Sequence, residues 1–176
     1  SAVVYQYELE PKLADDSYRK AISLSDGETR ILNNYGGFLF EQKRYKEAYA
    51  QYLKASEDTL YSERSRVFEN LGLTALQLGK REEAKQHFEK ALRLNSQRPT
   101  SLLQMAQLSL EDKDYVAARS YYAGFSQQAR QTPQSLLLGI RLARVFEDRD
   151  QAASLGLQLK RLYPGTPEYQ QYLSEQ

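Results

Sequence analysis

Apolar residues recur along this chain with a helical period. In the stretch 31–55, ILNNYGGFLFEQKRYKEAYAQYLKA, Leu32, Tyr35, Gly36 and Leu39 fall at spacings of three, one and three, which places them on one helical face. After a short polar turn, Ala48, Tyr52 and Ala55 do the same at spacings of four and three. Two amphipathic helices joined by a turn are therefore predicted. Gly36 and Ala48 carry no bulk, so antiparallel helices can approach closely there, with Tyr45 and Tyr52 filling the space beside them.

The arrangement repeats. Aligning on the small residue of the second helix gives Ala14, Ala48, Ala84, Ala118 and Ala152, separated by 34, 36, 34 and 34 residues. Aromatic residues follow four places on in the first four copies: Tyr18, Tyr52, Phe88 and Tyr122. Three places further stand Ala21, Ala55, Ala91, Phe125 and Leu159, and the preceding helices hold Ala2, Gly36, Gly72, Ala106 and Ile140 at the close-approach position. Several independent positions in one register resemble the tetratricopeptide repeat. The implied fold is all-α, an α-solenoid of helix-turn-helix repeats in which each pair buries its apolar face against its neighbours.

The expected boundaries are a partial repeat at 1–28, repeats at 29–62, 65–98, 99–132 and 133–166, and a capping helix at 167–176, all in a single array. By the period, roughly six residues of the first repeat are missing, so the chain reads as a fragment whose natural N-terminus, with any targeting signal, lies upstream. Pro11 is expected at the start of a second helix, where its missing N–H costs nothing. The two extra residues fall within 56–64 and lengthen a connection or extend a helix by one turn. Gly79 is expected as a left-handed cap, and Asp112-Lys113-Asp114 supplies N-cap candidates. The fifth repeat is degenerate: Gly139 precedes the small position by one, and Gly156 stands where an aromatic is expected. Pro164 ends that repeat, and Tyr169, Tyr172 and Leu173 are expected to face inward from the capping helix.

Composition narrows the function. With a net charge of +1 there is no global field to attract nucleic acid or an anionic membrane. The absence of cysteine excludes disulfides, thiolate metal sites and a cysteine nucleophile, and is compatible with either an oxidising or a reducing compartment. His87 is the single histidine, so a triad or histidine metal centre has no partners, and a partly exposed surface position is expected for it. The pairs Asp112/Asp114 and Asp148/Asp150 lack the glycine and distal glutamate of a calcium loop and are read as helix caps. Asn34-Tyr35-Gly36-Gly37 lies inside a helix, not after a strand, and is no phosphate loop. Arg141, Arg144, Arg149, Lys160 and Arg161 are interleaved with Glu147, Asp148 and Asp150. That mixture is a solvated face first and a contact for an acidic partner second. No enzyme and no cofactor is expected.

What remains is a surface for another polypeptide. The register turns Asn33, Phe40, Glu69, Leu73, Leu76, Leu103, Gln107, Leu110, Leu137 and Arg141 of the first helices toward a groove. The leucines and Phe40 form an apolar stripe that is either a binding surface or partly covered by neighbouring helices. Leucine, glutamate and glycine dominate these positions, which disfavours a clamp of basic side chains around a carboxylate tail.

Three blocks are more distinctive than the general repeat: LNNYGGFLFEQKRYKEAY (32–49), DTLYSERSRVFENLGL (58–73) and SLLLGIRLARVFEDRDQAASLGLQLKRLYPG (135–165). They resemble the PilF/PilW family of type IV pilus biogenesis lipoproteins, or pilotins, over essentially the whole chain. The resemblance implies a six-repeat, all-helical scaffold at the periplasmic face of the Gram-negative outer membrane, held there by a lipid anchor upstream of this fragment; a monomer is expected. Its implied partners are secretin subunits of the type IV pilus, whose localisation and multimerisation it assists. A generic cytosolic scaffold or co-chaperone for another client is the alternative. An RNA-binding helical repeat is disfavoured by the balanced charge and the lack of a recurring base-reading pair.

Overall fold

The structure, a computed structural model, describes residues 2–176, with side chains from Glu10 onward. The packing roles expected of Ala2 and Tyr5 lie outside the described side chains. The described residues form helices and turns without a strand: α1 (Ala2–Ser25), α2 (Thr29–Glu41), α3 (Tyr45–Ser56), α4 (Arg64–Gln77), α5 (Arg81–Leu94), α6 (Pro99–Glu111), α7 (Tyr115–Gln128), α8 (Pro133–Val145), α9 (Arg149–Leu162) and α10 (Pro167–Ser174). The chain divides into two compact units, Ser1–Ser96 and Gln97–Gln176.

In the first unit, α2 packs on α3, α4 on α5, and α3 on α4, so each pair covers the apolar face of the next. Ala48, Ala55, Ala84 and Ala91 are completely buried at the crossings. The close approach is tightest at Gly36 and Gly72. A Cβ on Gly36 would stand 2.5 Å from Tyr52 Cε1, and one on Gly72 would stand 2.6 Å from Phe88 Cε1. The recurrent aromatic thus lies directly on the recurrent glycine, and each explains the other. Tyr18 of α1 stacks on Tyr35 at a ring separation of 5.3 Å and closes the end of this core.

One local reading needs correction, and the alternatives at residues 56–64 are narrowed to a longer connection. Pro11 does not open a second helix but lies inside the continuous α1. No turn-forming residue precedes it, and the Glu8-Leu9-Glu10 segment favours helix strongly enough to carry through the lost hydrogen bond. Residues 57–63 extend neither flanking helix. Asp58 instead organises the connection, accepting from the Thr29 hydroxyl at 2.6 Å and from the Leu60 amide at 3.1 Å, while Arg64 donates to the Ser56 carbonyl.

In the second unit, α6 packs on α7, α8 on α9, and α10 on α8 and α9. Ala106, Ala118, Ile140 and Leu159 are buried at the positions the register assigns them. Asp114 and Asp148 cap α7 and α9 by accepting from the amides of Ala117 and Gln151, as their spacing predicts. Thr132 and Ser135 form a reciprocal capping box at the start of α8. The degenerate fifth repeat is completed from outside: a Cβ on Gly156 would collide with the Tyr172 hydroxyl. Tyr172 of α10 therefore occupies the slot where the other copies carry their own aromatic. Tyr169 packs beside it, whereas Leu173 is 46% exposed and does not face inward. With Tyr169 and Tyr172 turned to the core on this short helix, Leu173, one place past Tyr172, is carried round toward solvent.

Candidate functional site

Asn33, Phe40 and Leu73 come together in the first unit. They line a cleft of about 390 Å³ between α1, α2 and α4, with Tyr18, Asn34, Glu41, Tyr52 and Asn70 completing its walls. The helical period sets this up: Asn33 and Phe40 are two turns apart on α2, and Leu73 lies one turn beyond Asn70 on α4. Asn70 Nδ2 donates to Asn33 Oδ1 at 3.2 Å, tying the two helices across the cleft. Phe40 is half-buried and meets Tyr45 edge-on at 5.1 Å. Leu73 is likewise half-buried, so both keep apolar surface open to the cleft.

At its floor, Tyr52 is only 3% exposed. Burial, and then the charge of Glu41, push its phenol up to about 12, so it stays protonated and able to donate at any physiological pH. Glu41 is exposed, and no lysine or arginine lines this cleft among the described residues.

The other expected groove residues divide. Glu69 is buried in α4, and Leu76 is half-buried outside the cleft. In the second unit Gln107 and Leu110 are half-buried on α6. Leu103 and Leu137 are buried, so they serve the packing of their own unit and are not open to a partner. The reason is steric: α6 is in contact with α7 and α8 within this unit, and Leu137 is only 4% exposed. Arg141 pairs with Glu175 at 2.7 Å, and Arg144 reaches the same carboxylate at 3.6 Å. That part of the basic cluster is thus engaged at the C-terminal end of the chain itself. Arg144 and Arg149, with Glu147, Asp148 and Tyr172, border a cleft of about 570 Å³ with mixed charge.

Two further clusters are structural. Asp15 accepts from the Tyr35 hydroxyl at 2.6 Å and pairs with Arg44 and Arg19. Burial alone would raise its carboxyl, but Tyr35 and Arg44 outweigh that and hold it below the usual carboxylate range. His87 is not a bare surface residue. It is half-buried between Tyr49 and Phe68, and its Nε2 lies 2.7 Å from the Tyr49 hydroxyl. Burial pushes its imidazole down, against the opposing pull of Glu83.

Sequence reasoning missed Asn34, Asn70 and the Tyr52 hydroxyl. The signal was present: Asn34 and Asn70 are separated by 36 residues, the same offset as Gly36 and Gly72.

Comparison with known proteins agrees with the fold. Tetratricopeptide-repeat family models match residues 28–97 and 70–133. The type IV pilus assembly protein PilF of Pseudomonas aeruginosa strain PAO1 is 62% identical over 174 residues, covering 99% of this chain and 69% of that protein. A solved structure of Pseudomonas aeruginosa PilF superposes with a TM-score of 0.92, covering 99% of this chain and 79% of that one. PilW, described as a widely conserved type IV pilus biogenesis factor, gives a TM-score of 0.76 at 26% identity, over 98% of this chain and 79% of that one.

Proposed function

The chain belongs to the PilF family of type IV pilus assembly proteins, a tetratricopeptide-repeat family, and from that premise we propose that it is a non-enzymatic pilotin. In this reading it holds a segment of a secretin subunit and assists the outer-membrane localisation and multimerisation of the type IV pilus secretin. Its place of action is the periplasmic face of the outer membrane, with a lipid anchor as the means of attachment. Anchoring would raise the local concentration of bound subunits at one membrane, which favours ring assembly without any chemical step.

The observation that carries this reading is the cleft of the first unit. It offers apolar surface from Phe40 and Leu73 beside the hydrogen-bonding carboxamides of Asn33 and Asn70, the combination by which a protein segment is held and oriented. The double variant Phe40→Glu/Leu73→Glu places two charges in that surface. Retention of secretin in a pull-down should fall at least about tenfold, with helical circular dichroism unchanged. Undiminished retention by the folded variant would remove the cleft from the mechanism.

A further inference from the structure

The cleft of the first unit holds polar groups that make no further hydrogen bond among the described residues. Tyr52 is buried, its ring is fixed on Gly36, and its oxygen lies 3.7 Å from where a Cβ on Gly37 would stand. No buried side-chain oxygen or nitrogen among the described residues lacks a partner, so this hydroxyl, which makes no hydrogen bond to a described residue, is reached by solvent through the cleft while its ring is buried. The Asn33–Asn70 hydrogen bond likewise leaves Asn33 Nδ2 and Asn70 Oδ1 without a further partner among the described residues. Donors and an acceptor therefore stand ready around one apolar surface, and among the described residues the carboxylate lining it is Glu41.

We propose that this cleft binds the main chain of an extended polypeptide segment carrying an apolar side chain and, close by, a lysine or arginine. The Tyr52 hydroxyl donates to a peptide carbonyl of the ligand. Asn33 Nδ2 and Asn70 Oδ1 meet a neighbouring carbonyl and N–H, since a carboxamide presents the same donor and acceptor as a peptide group. Phe40 and Leu73 receive the apolar side chain, and Glu41 pairs with the basic one at the solvent edge. An acidic segment is rejected because the cleft would set its carboxylate near Glu41, with no lysine or arginine among the described lining residues to offset the repulsion.

The inference rests on reading this face as a protein-binding surface, but its test needs no secretin. Fluorescein-labelled eight-residue peptides, acetylated and amidated at their ends, carry one leucine and, two residues on, lysine or glutamate in an alanine-serine background. Fluorescence anisotropy with the whole chain should show the lysine peptide binding at least about tenfold more tightly than the glutamate peptide. Tyr52→Phe keeps the ring on Gly36 and should weaken the lysine peptide about three- to tenfold, the value of one hydrogen bond. Glu41→Lys should reverse the charge preference.

Preference for the glutamate peptide, equal binding by Tyr52→Phe, or no binding of either peptide overturns the proposal. So does peptide binding that declines as protein concentration rises, because a second copy would then be the occupant. Secretin retained by a chain that fails these peptide tests leaves the pilotin reading standing and removes only this one. Peptide selection as stated with no secretin retention does the reverse.

Discussion

Lys43, Gly79, Lys113 and Glu147 each turn left-handed two residues past the last residue of a helix, with φ between 56° and 73°. At each, the next amide reaches back to a carbonyl five residues earlier, as in Arg44 to Leu39 and Lys80 to Ala75. Glycine takes this conformation freely, and the other three side chains take it at a cost of about 1 kcal/mol or more. Lys43→Gly and Lys113→Gly should therefore each raise the melting temperature by about 2–4 °C. A lower melting temperature in both would contradict this reading of the turns. His87 gives a second prediction at this scale. Its folded pKa lies below the unfolded one, so the unfolded state takes up the proton first as pH falls. Stability is fully present above about pH 6.5 and declines as the pH drops from there through the folded value. Melting temperatures at pH 7.5 and 5.5 should show a decline that is smaller in His87→Gln, and an equal decline in both proteins would rule His87 out as its source.

Helix α10 is held by very few groups, which makes it the most testable element. Tyr172 fills the space at Gly156 and lies under Arg144, while Glu175, just past the helix end, pairs with Arg141 and Arg144. The ring contributes through burial, about 1–3 kcal/mol for a partly buried aromatic, whereas a solvent-accessible ion pair adds less than about 1 kcal/mol. Tyr172→Ala should thus release α10, seen as faster amide hydrogen exchange across residues 167–174, and Glu175→Gln should change it little. Unaltered protection in Tyr172→Ala would mean that something other than this ring holds the helix. The sequence announced α10 through Pro167 and its two tyrosines, and Gly156 announced the vacancy, but not that one fills the other. That match is a contact between residues sixteen apart in different helices, and periodicity within a helix carries no information about it.

Across the whole molecule, what could be read in advance was whatever the period dictates. Small residues in phase, aromatics four places on and the cap at Gly79 all follow from helix geometry, and the buried alanines stand where the phase puts them. The groove was less legible, because facing a groove and being open to solvent are different properties. Leu103 and Leu137 share the repeat position of Glu69, and all three are buried, whereas Leu73, Gln107 and Arg141, one turn further along their helices, are half-buried. Asn33, Phe40 and Leu73 stayed together because Asn33 and Phe40, two turns apart on α2, and Leu73 on α4 line the cleft that α1, α2 and α4 border. Photo-crosslinking reports most directly on whether a secretin segment lies in that cleft. A benzophenone side chain in place of Phe40 should capture secretin, and the same group in place of Leu53, exposed on α3, should not. Capture from position 53 with none from position 40 would place the partner on another surface and contradict the role given to this cleft.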